Sequence, residues 1–280
     1  MLKLLLPYPA ILIKTAKTKT LVIADLHIGW EMALRDKGIH LPSQTPKIFQ
    51  KLARLLSMHK PQKLLILGDV KNTVITAKPG EWHDIPAFFS ELKNLVSDIS
   101  IVRGNHDANL EALLPENIPL LPAKGAVIGD TGFFHGQSWP SPALLECGTL
   151  VTAHLHPVVV FRDSAGFRIT RQVWIKAKFD VRKFSQTLLQ KLKIKLEGTI
   201  EDTFRKKYNF KPRTFQVLVM PSFNNFLGGR PINDERERTK DHKSKMIGPV
   251  LRSAAVDLNN SEIYLLDGTY LGTLHQLKNM

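Results

Sequence analysis

The sequence predicts a mixed α/β fold: a four-layer αββα sandwich in which two mixed sheets pack face to face and are flanked by helices. Three observations carry this expectation. Through the first half, short apolar runs of strand length alternate with stretches of helical periodicity, the pattern of right-handed crossovers and a largely parallel sheet. In the second half, strand-like runs follow one another closely and are joined by hairpin signals. Finally, five of the strand-like runs end in Asp, Asn or His, and the carboxyl edge of a sheet is where loops gather over a rigid scaffold.

At 280 residues the chain is long enough for one large α/β domain or two smaller ones. Hydrophobic content of 43% and charged content of 23% are globular values and argue against wholesale disorder. The one cysteine, Cys147, excludes an internal disulfide framework and a Cys-rich zinc site, and suits a reducing cytoplasm. No apolar run approaches membrane-spanning length, so no membrane partner is expected.

Taken in order, Met1 to Ile13 is apolar but interrupted by Pro7 and Pro9, and is expected to be an opening strand. Leu21 to Ala24 is a short buried strand ended by Asp25-Leu26-His27-Ile28-Gly29. Asp25 and His27 stand two apart, so in an extended segment both point to one side and can meet a single cation. Trp30 to Lys37 is expected to be helical. Thr45-Pro46 then reads as an N-cap with proline at the first helical position, ahead of the apolar stripe Ile48, Phe49, Leu52, Leu55 and Leu56.

Leu64 to Leu67 is the next buried strand and ends at Gly68-Asp69. Thr76 to Glu81 is expected to be a loop, and Trp82 to Ser97 a helix with Ile85, Phe88, Phe89, Leu92 and Val96 on its apolar face. Ile99 to Arg103 leads to Gly104-Asn105-His106-Asp107. Alone, those four residues could be an ordinary turn. Gly132 to Phe134 ends at His135-Gly136, and Leu150 to Ala153 at His154-Leu155-His156-Pro157.

Val158 to Arg162 and Phe167 to Trp174 flank Asp163-Ser164-Ala165-Gly166 as a hairpin. Phe215 to Met220, Ala254 to Leu258, Ile263 to Leu266 and Tyr270 to Leu274 are further strands, the last two joined at Asp267-Gly268. Between them, residues 176–213 form a basic, partly helical insertion. Leu188, Leu192, Leu196, Ile200 and Phe204 recur every fourth residue, and Gly198 divides the run into two helical pieces. It is either an amphipathic packing element with a solvated face or a surface that faces nucleic acid. Gly228 to Lys245 is polar and of mixed charge, and is expected to be a mobile loop.

The strand ends together offer Asp25, His27, Asp69, Asn105, His106, His135, His154 and His156. Carboxylate, carboxamide and imidazole ligands without thiolate suit Mn, Fe or Zn. These are too many for one cation, so a pair is the natural inference, with Asp69 able to bridge. Such pairs drive in-line displacement at phosphorus. His40, His59, His83, His242 and His275 lie outside the pattern and are left structural.

In this order Asp-x-His, Gly-Asp, Gly-Asn-His-Asp, His-Gly and His-x-His resemble the calcineurin-like metallophosphoesterase superfamily. The chain is similar within it to archaeal phosphoesterases related to the SbcD nuclease, which are similar in turn to the bacterial ligase-associated endonuclease PdeM. The residues Gly68-Asp69-Val70-Lys71, Val173-Trp174 and Met220-Pro221-Ser222-Phe223-Asn224 extend that resemblance nearly end to end. It implies a single domain over residues 1–280 and two divalent ions, Mn first with Fe, Zn and Ni as alternatives. Asp25, His27 and His156 would hold one ion with Asp69, and Asn105, His135 and His154 the second, with Asp69 shared. His106 would protonate the leaving group or stabilise phosphoryl charge, with Asp107 orienting it. Arg103 would add positive charge for substrate, or be structural. Asn72, Gln137 and Ala153 depart from the superfamily pattern without removing a matched ligand.

The net charge of +14 favours a polyanionic partner, although a lysine-rich stability strategy gives the same total. The expected activity is therefore phosphodiester hydrolysis on nucleic acid, in DNA repair or processing and with a helicase or repair partner. The alternatives are a phosphatase or cyclic-nucleotide phosphodiesterase on small molecules, and a non-catalytic scaffold subunit.

Overall fold

The computed structural model describes residues 1–234 and 247–279 and resolves into two compact units. It is a mixed α/β fold with two mixed sheets and helices, as the alternation of strand and helix patterns predicts. Among the described residues no helix is long and apolar enough to cross a membrane.

The first unit comprises Met1–Pro122 and Ser222–Leu227. Its sheet runs in sequence order through β1 (Leu2–Leu4), β2 (Ile11–Lys14), β3 (Lys19–Ile23), β4 (Lys63–Leu67), β5 (Asp98–Val102) and β6 (Leu120–Leu121). The first three strands pair antiparallel, and β3 to β6 pair parallel. The expected single opening strand is thus two strands. Its prolines fall in the connecting turn, where Tyr8 N–H donates to Leu5 carbonyl at 2.8 Å.

Three helices complete this unit: α1 (Glu31–Arg35), α2 (Thr45–His59) and α3 (Pro79–Lys93). The α2 stripe buries Ile48, Leu52, Leu55 and Leu56, and α3 buries Ile85, Phe88, Phe89 and Leu92, both at the spacing of one helical face. Each such side chain contributes roughly 1.5–3 kcal/mol on burial. Of the segment Thr76 to Glu81 expected to be a loop, Thr76 to Lys78 is one, and Pro79 to Glu81 is instead the first turn of α3. Pro79 occupies a position whose missing N–H costs nothing, and Glu81 reaches back to Lys78 N–H at 2.7 Å. Central strands β3 and β4 are apolar and buried along most of their length, as parallel strands covered on both faces must be.

The second unit comprises Ala123–Pro221 and Gly228–Met280. Its strands are β7 (Ala126–Ile128), β8 (Thr131–Phe134), β9 (Thr149–Thr152), β10 (Pro157–Arg162), β11 (Arg168–Phe179), β12 (Gln216–Val219), β13 (Arg230–Pro231), β14 (Val256–Leu265) and β15 (Tyr270–Thr273). They are ordered β13-β10-β11-β12-β9-β8-β7, with β14 against β11 and β15 against β14. The hairpins expected at residues 163–166 and at Asp267-Gly268 join β10 to β11 and β14 to β15. Ala254 to Leu258 and Ile263 to Leu266, expected as separate strands, are one strand. A register shift between Lys176 and Lys178 of β11 absorbs the polar residues between them.

The helices here are α4 (Val181–Lys191), α5 (Ile200–Tyr208), α6 (Pro249–Arg252) and α7 (Leu274–Lys278). Residues 176–179 of the expected insertion belong to β11, and the helical part begins at Asp180, which caps α4 by accepting Lys183 N–H at 2.9 Å. Phe184, Leu188, Leu189 and Phe204 are buried, whereas Leu192 and Leu196 of the four-residue repeat are exposed. They lie between the helices, where Gly198 has φ +83°. Of the segment expected to be a mobile loop, residues 235–245, including His242, lie outside the described residues. The part before them is pinned: Asn233 exchanges two 2.9 Å hydrogen bonds with the Val160 backbone, and Asp234 pairs with Arg162 at 2.8 Å.

Candidate metal centre

Parallel register brings the chemistry-bearing residues of each unit level with one another. In the first unit, Ile23 of β3 faces Ile66 of β4, and Leu67 faces Val102 of β5. The loops that follow therefore leave from one edge. Asp25 N–H donates to Gly68 carbonyl at 3.1 Å, and His27 N–H to Asp69 carbonyl at 2.9 Å, so the Asp-x-His segment runs alongside Gly68-Asp69. A carboxylate oxygen of Asp25, a ring nitrogen of His27 and a carboxylate oxygen of Asp69 lie within 4.8 Å of one another. His106 joins them: its N–H donates to Asp69 Oδ1 at 2.9 Å, and its ring meets that of His27 edge-on at 4.7 Å.

In the second unit, Phe134 of β8 faces Thr152 of β9, which sets His135 beside Ala153. The His135 carbonyl accepts Ala153 N–H at 2.8 Å and Thr152 Oγ1–H at 2.9 Å. The rings of His135 and His154 stand 5.0 Å apart. His156 follows two residues on, its carbonyl accepting Arg230 N–H at 2.8 Å. Gly136 has φ +133°, and a Cβ there would lie 2.7 Å from Thr152 Oγ1, so the His-Gly pair leaves no room for another residue.

The backbone carries a second signature. Asp25, His27, Asp69, His154 and His156 all adopt positive φ, between 43° and 65°. For a residue with a Cβ this costs roughly 1–2 kcal/mol, and such strain gathers where function requires it. Asn105 Oδ1, moreover, is buried with no hydrogen-bond partner among the described residues. Oxygen and imidazole donors so arranged fit a divalent cation.

A family model for calcineurin-like phosphoesterases matches residues 18–184. The chain belongs to that family. It is accordingly a metal-dependent phosphoester hydrolase. Among solved structures this phosphoesterase is similar to nuclease MPE of Pseudomonas putida, at 20% identity over 94% of this chain and 91% of that chain, with a TM-score of 0.52. It is also similar to the E. coli phosphoesterase YfcE, at 21% identity over 52% and 74% and TM-score 0.33. Vps29 of Cryptosporidium parvum matches at 26% over 52% and 69%, TM-score 0.28. Among curated proteins no sequence matches.

Three further residues of the phosphoesterase were expected at the site. His106 Nδ1 meets the Asn72 carbonyl at 2.5 Å. A carbonyl only accepts, so Nδ1 carries the hydrogen and Nε2, 4.0 Å from Asp69 Oδ2, is the nitrogen left for proton exchange. Asp107 ties neighbouring loops together through its carboxylate. Its Oδ2 accepts the N–H groups of Asp69 and Gly104, and its Oδ1 that of Val70, each at 2.8 Å. Arg103 pairs with Glu111 and reaches the Asp107 carbonyl at 3.4 Å, which places it on the loop that carries His106.

Sequence reading gave no role to Ser222 and Asn224. Ser222 Oγ donates to Asp25 carbonyl and Asn224 Nδ2 to Leu26 carbonyl, each at 2.9 Å, while Phe223 N–H donates to Ala24 carbonyl at 2.8 Å. They clamp the strained Asp-x-His backbone. The signal was present in Pro221-Ser222-Phe223-Asn224, a polar run directly behind a strand.

Proposed function

We propose that the chain is a dinuclear phosphodiesterase acting on nucleic acid, a nuclease of the SbcD-related branch and similar to the ligase-associated endonuclease PdeM. Asp25, His27, Asp69 and His156 would hold one ion, and Asn105, His135 and His154 a second, with Asp69 shared; manganese is the first choice. Bound divalent ions lower the pKa of water and withdraw charge from phosphoryl oxygens. His106, its Nδ1–H held by the Asn72 carbonyl, delivers a proton from Nε2 to the leaving oxygen when both ring nitrogens carry hydrogen, and is left as the Nδ1–H tautomer. Asp107 keeps Asp69 and Gly104 in place, and Arg103 braces the loop.

One observation carries the nucleic-acid reading: the excess positive charge is displayed. Lys191, Lys193, Lys195, Arg205 and Lys206 are all exposed on and between α4 and α5. Lys206 is partly answered by Glu197 at 3.2 Å, and Asp202 on α5 attracts Arg205 and Lys206, while Lys191, Lys193 and Lys195 leave a cationic surface suited to phosphates. The nuclease named among the structural neighbours accords with this reading. The single buried cysteine accords with a cytoplasmic setting, where a helicase or repair protein is the expected partner.

The test is a panel of DNA, RNA and bis(p-nitrophenyl) phosphate, assayed with manganese and other divalent ions, for the wild type and for Arg205→Gln/Lys206→Gln/Lys207→Gln. DNA binding of the triple variant should weaken, and the slope of log K against log salt should fall by up to about 3. Hydrolysis of the small diester with none of either nucleic acid would instead identify a small-molecule phosphoesterase.

A further inference from the structure

Two fully buried charges of opposite sign flank the loop between β4 and α3. Lys71 and Glu81 each have no exposed surface. Burying a charge is costly unless it is paired and hydrogen-bonded, so both report a structural demand at this place. Lys71 Nζ donates to the Thr73 carbonyl and, at 3.1 Å, to that of Val74. Burial pushes its pKa down, while Glu81, Asp107 and Asp69 oppose the shift.

Glu81 makes four contacts on the same loop. Oε1 accepts Asn72 N–H at 2.9 Å and Thr73 N–H at 2.8 Å; Oε2 accepts Thr73 Oγ1–H at 2.6 Å and Lys78 N–H at 2.7 Å. Gly29 makes room for it: with φ +86°, a Cβ there would sit 2.7 Å from Glu81 Cγ.

The Thr73 N–H and the Asn72 carbonyl belong to one peptide unit, which is planar and trans. Glu81 holds its N–H end, and His106 Nδ1–H is held at its carbonyl end. Fixing one end therefore fixes the direction of the other. A carboxylate on the N–H also polarises the carbonyl and strengthens it as an acceptor.

We propose that Glu81 is a positioning residue for His106, setting its tautomer and ring orientation through the Asn72–Thr73 peptide. The inference rests on the catalytic reading of His106 given above. It assigns a task to a residue twelve positions in sequence from the nearest proposed ligand, Asp69, and outside the metal set.

The experiment is a double-mutant cycle on a diester with a poor leaving group, with bis(p-nitrophenyl) phosphate as the good one. Glu81→Ala should lower kcat on the poor leaving group about 10- to 100-fold, with KM changed less than threefold and a smaller loss on p-nitrophenolate. Glu81→Gln, which keeps one accepting oxygen for Asn72 and Thr73, should recover most of the loss. In a His106→Ala background neither substitution should cost further turnover. Independently of activity, imidazole 15N–1H correlation spectra of chelated protein should show His106 as the Nδ1–H tautomer in wild type, mixed or shifted in Glu81→Ala, and shifted only slightly in Glu81→Gln. If Glu81→Ala does not fold, Glu81→Gln carries the same cycle with a loss of a few-fold. Losses that multiply with His106→Ala, or a His106 tautomer unchanged in Glu81→Ala, would overturn the inference alone. Full turnover by His106→Ala by itself would remove the catalytic reading and the inference with it.

Discussion

Asp107 accepts the backbone N–H of Asp69 at 2.8 Å on the same carboxylate oxygen that accepts the N–H of Gly104. One buried side chain thus joins the loop after β4 to the loop after β5. Replacing it by Asn leaves one acceptor where there were two and turns an amide donor toward backbone N–H groups. Hydrogen bonds to a charged group contribute about 1.5–3 kcal/mol each, and an unsatisfied buried donor costs a similar amount. Asp107→Asn should therefore lose about 2–4 kcal/mol of unfolding free energy in urea titrations. A loss below about 0.5 kcal/mol would show that the two loops are held by other means.

Gly104 is small for a reason that its turn-like sequence conceals. A Cβ built there overlaps both Oδ1 and the backbone nitrogen of Asp69. Gly104→Ala must push Asp69 aside, at about 1–3 kcal/mol for overpacking. The larger consequence falls on metal affinity, expected to drop roughly 10- to 100-fold when a ligand's support is disturbed. Calorimetric titration with manganese measures this directly, and wild-type affinity would mean that Asp69 moves freely.

These two residues illustrate what the sequence makes legible. A candidate ligand close behind an apolar run is visible, because the run announces a strand and the strand tip announces a site. Asp25, Asp69, Asn105, His135 and His154 are all candidates of this kind. Glu81 and Lys71 are not, because a buried charge in a loop leaves no periodicity; only its neighbours in space reveal it. Part of what Asp107 does is hidden for a related reason. Adjacency in the chain points to His106, and only the fold adds the backbone groups 37 and 38 residues away that its carboxylate accepts. In the fold, the polar stretch Asp257 to Glu262 concealed the continuity of β14, which is supplied by pairing with β11 and not by local pattern.

Lys51 gives the protein a predictable dependence on alkaline pH. Its ammonium donates to the Phe223 carbonyl at 2.6 Å and lies 4.3 Å over the Phe223 ring, and burial pushes its pKa down to about 8. The unfolded value is about 10.4. Between those two values the unfolded chain binds more protons than the folded one, so this group adds stability as pH rises. The full effect is on the order of 3 kcal/mol, reached above about pH 10. Other lysines titrate in the same range, so the informative quantity is the difference between wild type and Lys51→Met. That difference should shift in favour of wild type from pH 8 to 10.5; parallel stability curves would exclude the assignment.

The left-handed candidate ligands Asp25 and Asp69 would set metal binding and fold stability against each other. Asp25 and Asp69 are buried, carry φ of 57° and 53°, and hold carboxylate oxygens within 4.8 Å of each other and of a His27 ring nitrogen. Without a cation, the strain and the carboxylate repulsion both weigh on the folded state. A divalent ion at 100 times its Kd adds about 2.7 kcal/mol by mass action, so chelation should lower Tm and manganese should restore it. Asn tolerates the left-handed region as Asp does, so Asp25→Asn keeps the backbone while deleting one charge. The variant should therefore be as stable as wild type or more so after chelation, yet lose more than half of the manganese-induced gain in Tm. A variant that is destabilised without metal and still gains fully from manganese would mean that Asp25 serves packing and not the ion.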